Sequence, residues 1–274
     1  FLVQPLSIGI FSWIYLISLW EPAFPTILAN GPYSIKAYEP AATTIELVKN
    51  ENYWDAGAVK LDGIKYQVIK EAQQTILSYQ NGDLDLATLS GEQVEQFKAD
   101  PEFNNIMEGY LWYISPNQKV AGLENENLRK ALALSYDKSA VVNNILKDGS
   151  VVADFAVPTL LSTGPDGKDF RDGSDTYLST DKTNALEYYN LAKTELGKEA
   201  FEYTIIVEDT ESAQNVAQFI QSEIQTTLPG VKITLEVMPK KNRVERMQSG
   251  DYEIAFTRWG PDYADPMTYL DMWT

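Results

Sequence analysis

An α/β fold is predicted for this chain of 274 residues, and three observations carry it. Strand-like and helix-like segments alternate from Asn30 to the carboxyl end. A β-α-β run in the last third points to parallel pairing, because parallel neighbours need a crossover. The composition, 44% hydrophobic and 22% charged, supplies the apolar surface that a packed core requires. The length suits two domains or one large one.

The elements read in order from Asn30. The Asn30-Gly31-Pro32 turn precedes a short strand over residues 33–38, and Pro40 turns the chain into a strand at 44–48. Alternating residues predict a third strand over 59–70. "EAQQTILSYQ" is a helix closed by Asn81-Gly82, followed by a short strand at 84–87. A helix over 91–100 stops before Pro101, because a residue ahead of proline avoids helical angles. "IMEGYLWYIS" is an aromatic-rich strand. Leu128, Ala131, Leu132 and Ser135 then share one helical face, and Val141, Val142, Ile145 and Leu146 share the next. Asp137 is placed to cap the second of these helices, and Gly149 follows its end. After a long Gly-, Pro- and Asp-rich loop come a helix (183–196), a strand (203–207), a helix (211–227), a strand (232–237) and a helix (241–249). "DYEIAFTRW" is the last strand.

The first twenty residues carry no charge and match a bilayer in length. Pro5 and Gly9 interrupt them, the first basic residue is Lys36, and the run opens on Phe rather than on a basic leader. A buried strand or core helix is the commoner explanation of such a run. An abrupt change of composition near Ala29 also motivates the expectation of an altered segment, or a shifted reading frame, upstream.

Charge and missing residue types exclude several chemistries. With 39 acids against 22 bases the net charge is −17, which repels phosphate backbones and makes nucleic acid a poor partner. There is no cysteine and no histidine. Disulfides, thiolate clusters, Ser-His-Asp chemistry and the usual zinc sites are therefore closed to this sequence. No cofactor and no metal site is expected. The mixed acids and glycines of residues 164–175 lack the spacing of an EF-hand and read as a solvated loop.

One passage stands apart. "RWGPDYADPMTYLDMW" crowds carboxylates and large rings into a proline-broken segment at the carboxyl end of a strand, where open α/β sheets bind ligands. Asp262 there, shielded by Trp259 and Tyr263, suits an ammonium group, through a charge-assisted hydrogen bond with cation–π support. Gly260 lets another backbone approach. A structural alternative stands beside this: Asp262 caps a turn and Trp259 is core. A hydrolase built on Asp262 and Asp265 is the alternative from another class, although two acids three residues apart rarely flank a sugar.

Four stretches, in order, resemble the peptide-binding proteins of ABC importers, the oligopeptide- and dipeptide-binding group. They are "NGPYSI" with "IELVKNENYWD", "TILSYQNGDLDLA", "ENENLRKALALSYDKSAVVNNIL" and "WGPDYADPMTYLD", and the resemblance covers Asn30 to Thr274. The last is close to the form in streptococcal oligopeptide-binding lipoproteins. The resemblance implies a two-lobed, type II solute-binding α/β fold, present in part. The tail of lobe one would occupy 1–115, with 1–28 anomalous, and most of lobe two 116–274. It implies an extracellular or periplasmic protein that captures oligopeptides and hands them to permease subunits. Contact with the membrane would be only through a lipid anchor that this chain lacks. In the family the aspartate of this motif binds the peptide α-ammonium, a role that carries over to Asp262. Trp259 would line a side-chain pocket, and backbone at Gly260 would pair with the ligand. Tyr110 and Trp112 are further pocket candidates, and Asn30 is either a turn former or a ligand contact. Relatives are about twice this size, so the chain is expected to be an internal fragment. Other cargoes of the wider family, such as heme, nickel or sugar, remain open.

Overall fold

Pairing partners decide which of the strand-like stretches become strands. The computed structural model describes residues 28–39 and 42–273, so the uncharged opening run and the Pro40 turn lie outside the described residues. Packing divides the described residues into two compact units, one ending at Thr75 and the other beginning at Ile76.

In the first unit β1 (Tyr33–Ala37), β2 (Thr44–Lys49) and β3 (Gly63–Gln67) form an antiparallel sheet in sequence order. β3 is shorter than the alternation over 59–70 predicts, because the ladder with β2 reaches only from Gly63 to Gln67. A Cβ at Gly63 would lie 2.5 Å from the Leu47 carbonyl oxygen, which explains the glycine there. The first turn is sealed by Asn50, whose side-chain amide donates to Ala29 O (3.1 Å) and Gly31 O (2.9 Å).

The helix α1 (Ala72–Gln80), in which the division between units falls, ends at Gly82 with φ +81° as the Asn-Gly signal requires. The strand predicted at 84–87 is absent. No described residue pairs with it, and Leu86 is exposed, so alternation without a neighbouring strand makes no ladder. The helix α2 (Glu92–Phe97) follows.

The second unit is built on a mixed sheet of β4 (Leu111–Pro116), β5 (Phe201–Glu208), β6 (Val231–Met238) and β7 (Ile254–Trp259), in the order β4-β7-β5-β6. β5 runs parallel to both β6 and β7, as the β-α-β pattern requires, while β4 is antiparallel to β7. One face packs on α3 (Glu126–Leu134), α5 (Lys182–Leu196) and α6 (Glu211–Thr227), with Leu128, Leu132, Tyr189, Ile205, Ile220 and Ile254 in the core. Each such side chain contributes about 1.5–3 kcal/mol by leaving water. The other face buries Ile206, Ala255 and Met238 beneath α7 (Lys240–Ser249), so period-two alternation feeds two cores. The face formed by Leu128, Ala131, Leu132 and Ser135 is buried as its spacing predicts.

Asp137 caps α4, accepting from the Ser139 and Ala140 amides. That helix starts at Lys138–Ala140 and widens to a π-helix over Val141–Leu146. Lys147, left-handed with φ 51°, ends it two residues before the expected Gly149. A short helix α8 (Met267–Leu270) closes the described chain with a 3-10 turn over Asp271–Trp273.

Candidate functional site

Because β5, β6 and β7 are mutually parallel, their carboxyl ends share one edge, and the antiparallel β4 starts there. Leu111 pairs with Trp259 and Trp112 with Arg258. The segment after β7 is therefore flanked by the aromatic residues that open β4.

Two prolines and short-range hydrogen bonds shape that segment. Pro261 and Pro266 prevent one continuous helix, and α8 begins directly after Pro266. Buried Thr268 ties the segment together. Its carbonyl accepts from the Trp259 indole nitrogen at 2.7 Å, and its hydroxyl accepts from the Asp262 amide at 3.0 Å. The Asp265 carboxylate accepts from the Met267 amide at 2.8 Å and closes the turn just ahead of α8, whose N-cap position is Pro266. The Tyr269 hydroxyl, fully buried, donates to the Gly109 carbonyl and fastens the segment to the approach of β4.

Asp262 is thus held by its backbone, and its exposed carboxylate makes no hydrogen bond or ion pair with the described residues. Turn capping falls to Asp265, so the structural alternative weighed for Asp262 does not describe this turn. Trp259 is half-buried against Leu111, Val157 and Tyr269, which makes it part of a small core. Tyr263 is half-exposed. Partial burial, with Asp271, Asp265 and Asp262 nearby, raises the pKa of its phenol, which marks a locally negative surface. A negative surface beside aromatic rings favours a cationic group.

Gly260 has a reason visible in the fold. The Tyr110 ring occupies the space of a side chain there, with its Cε1 2.4 Å from where a Cβ would stand. Tyr110 stays half-exposed, whereas Trp112 packs on Phe256 with ring centroids 5.1 Å apart and belongs to the core. The Arg258 guanidinium lies 4.5 Å over the Trp112 ring and 5.5 Å from that of Tyr110. Asn30 is exposed in the turn that Asn50 seals, in the first unit. This edge therefore gathers Trp259, Gly260, Asp262, Tyr263, Tyr110 and Trp112, while Asn30 belongs to the first unit.

Sequence reasoning missed a buried ionic cluster at the same edge. Glu208, at the end of β5, accepts from Arg258 at 2.9 Å and from Arg243 at 3.3 Å. Arg243 is 1% exposed and also donates to Thr257. A charged residue ending the apolar run "TIIV", and an arginine on the inward face of a helix, were the signals available.

In the loop at 164–175 two of the acids, Asp166 and Asp169, are used locally. Asp169 accepts from the amides of Leu160 and Arg171 and from Thr159, and those backbone hydrogen bonds lower its pKa. Among the described residues no group of three or more acids is arranged to hold a metal ion, and no helix is long and apolar enough to cross a membrane.

Residues 17–274 match the family described as bacterial extracellular solute-binding proteins, family 5 Middle, and the chain belongs to that family. Its matched range begins ahead of Asn30, where the resemblance in the sequence begins. The chain is 30% identical to a dipeptide-binding protein of Lactococcus lactis subsp. cremoris, over 89% of this chain and 47% of that one. The substrate-binding domain of an oligopeptide ABC transporter from Bacillus anthracis superposes with a TM-score of 0.86 at 37% identity, over 89% of this chain and 48% of that one. OppA of Listeria monocytogenes, solved bound to peptide, superposes with a TM-score of 0.87 at 32% identity, over 90% and 50%. The fold is thus that of the oligopeptide-binding proteins, and the chain spans about half the length of the curated relatives it matches.

Proposed function

We propose that this chain is part of an extracellular peptide-capturing component of an ABC importer, and that Asp262 anchors the α-ammonium group of an extended oligopeptide. One observation carries the reading. Asp262 is fixed through its amide to Thr268, yet its carboxylate faces solvent with no hydrogen-bond or ion-pair partner among the described residues. An ammonium there would gain charge-assisted hydrogen bonds worth about 1.5–3 kcal/mol. Trp259 and Tyr263 would wall the site, Tyr110 would border it, and backbone near Gly260 would pair with the ligand. Trp112 would act from beneath, through Arg258. Asn30 serves its turn in this reading.

The tail of one lobe and most of the other, the latter including β4, would close on the ligand before delivery to permease subunits. A lipid anchor on the outer membrane face fits the same role, and no covalent step is required. The test is calorimetric titration of the intact protein with short peptides, beside the same peptides N-acetylated. Free amino ends should bind, and both acetylation and Asp262→Asn should weaken binding about 10-fold or more. Equal affinity for free and acetylated peptides overturns the ammonium assignment.

A further inference from the structure

The sequence holds two Asn-Gly pairs, Asn30-Gly31 and Asn81-Gly82, and the fold treats them in opposite ways. In such a pair the glycine nitrogen can reach the side-chain carbonyl carbon of the asparagine, because glycine carries no Cβ to block the approach. Steric room does not separate the two. Nothing lies within 4 Å of where a Cβ would stand at Gly31 or at Gly82. Hydrogen bonding does separate them. Asn81 follows α1, its amide donates to the Leu77 carbonyl at 3.0 Å, and the Gly82 amide donates to the Tyr79 carbonyl at 3.0 Å. The Asp83 amide then returns to the Ser78 carbonyl at 2.8 Å, so this pair is bonded from both sides. The Gly31 amide, by contrast, donates to no acceptor among the described residues. The Asn30 side chain is exposed and makes no hydrogen bond among them.

We propose that Asn30-Gly31 is a site of spontaneous deamidation, which converts the turn ahead of β1 to an aspartyl or isoaspartyl form. The Gly31 nitrogen attacks the Asn30 side-chain carbonyl carbon and gives its proton to water. The new C–N bond closes a cyclic imide, and the side-chain nitrogen leaves as ammonia with a proton taken from solvent. Water then adds to either imide carbonyl and breaks its bond to nitrogen. Opening at the side-chain carbonyl leaves aspartate. Opening at the backbone carbonyl leaves isoaspartate, whose main chain is longer by a carbon atom. The reaction needs only water and does not depend on what the chain binds. In this fold the extra carbon falls between two carbonyls that share one partner. The Asn50 side-chain amide donates to Ala29 O at 3.1 Å and to Gly31 O at 2.9 Å, on either side of residue 30. Among the described residues from 28 to 75, Asn50 is the only buried one. Lengthening the chain between those carbonyls parts them, so a single amide no longer reaches both and the turn is unsealed.

The experiment incubates the intact protein at mildly alkaline pH in water enriched in heavy oxygen, followed by proteolysis and mass spectrometry. Uptake of solvent oxygen marks each opened imide. The Gly82 amide must first give up its hydrogen bond, so Asn30 should convert about 5-fold or more faster than Asn81. In urea the two rates should converge, since the helix that protects Asn81 is gone. Gly31 is not left-handed and has open space at its Cβ, so Gly31→Ala keeps the fold and should suppress conversion at Asn30 alone. In the isoaspartyl fraction hydrogen exchange should quicken at the Asn50 backbone amide, which donates to Pro32 O at 2.9 Å. Equal rates in the folded protein, no conversion at Asn30, a rate ratio that persists in urea, or a Gly31→Ala variant that converts as fast overturns the assignment. Conversion at Asn30 with unchanged exchange at Asn50 overturns the unsealing of the turn.

Discussion

Replacing Glu208 by glutamine tests the ionic cluster most directly. The substitution keeps the shape of the side chain and removes its charge. Glu208 is almost wholly buried and accepts from two guanidiniums, at 2.9 and 3.3 Å. Arg258 can turn part of its guanidinium to water, but Arg243, 1% exposed, cannot. Removing one partner of a buried pair costs about 3–5 kcal/mol, because the other charge is left uncompensated in a poorly polarisable interior. That is a large part of the roughly 5–15 kcal/mol by which a domain is stable. For a unit of this size the melting temperature should fall by about 6–20 °C. Urea denaturation followed by tryptophan fluorescence measures the change. A cycle with Arg243→Met isolates the pair: the double variant should be more stable than the sum of the single effects, by about 1–3 kcal/mol. A loss under about 1 kcal/mol in Glu208→Gln, or strict additivity, would mean that the cluster is hydrated and that its geometry does not hold Arg258.

Three further outcomes follow from the same structure. Gly260→Ala puts a Cβ where the Tyr110 ring lies, so the half-exposed ring should swing out. The lost contact with Arg258 costs only about 0.5–1 kcal/mol, so calorimetry should show peptide affinity falling more than the urea midpoint does. Burial, with Glu124 and Glu253 nearby, pushes the phenol of Tyr203 up to about 12. A raised pKa favours the protonated form in the folded state, so its contribution is intact below about pH 10 and is lost as pH rises through about 12. Ultraviolet titration should show Tyr203 ionising after the exposed tyrosines, and a normal pKa there contradicts the buried placement. Asp137→Ala removes the acceptor of the Ser139 and Ala140 amides and should cost about 1 kcal/mol in urea denaturation, whereas no change would mean that α4 needs no cap.

The elements legible in the sequence were those whose signal is local. The end of α1 follows from Asn81-Gly82, the buried face of α3 from its apolar period, and the cap of α4 from Asp137. The crowding of acids and rings around Asp262 was visible for the same reason, since all of it falls within sixteen residues. The strand expected at 84–87 failed because a strand is completed by a neighbour, and alternation reports only the side chains. Widening of α4 to a π-helix left no mark in the apolar spacing.

The sequence alone determined which chemistries are closed to this protein, through its missing cysteine and histidine, and which motif marks its family. Local bonds give Asp265 the Met267 amide and Thr268 the Asp262 amide, leaving the Asp262 carboxylate exposed. Only the tertiary structure decided what surrounds that carboxylate. It also decided that Glu208, Arg243 and Arg258 meet, and that Tyr110 fills the space over Gly260. The reason is physical. Helix periods and caps depend on neighbours a few residues away, whereas hydrogen bonds and ion pairs depend on distances of a few ångströms. Between residues 35 to 150 positions apart, only the packed sheet sets those distances.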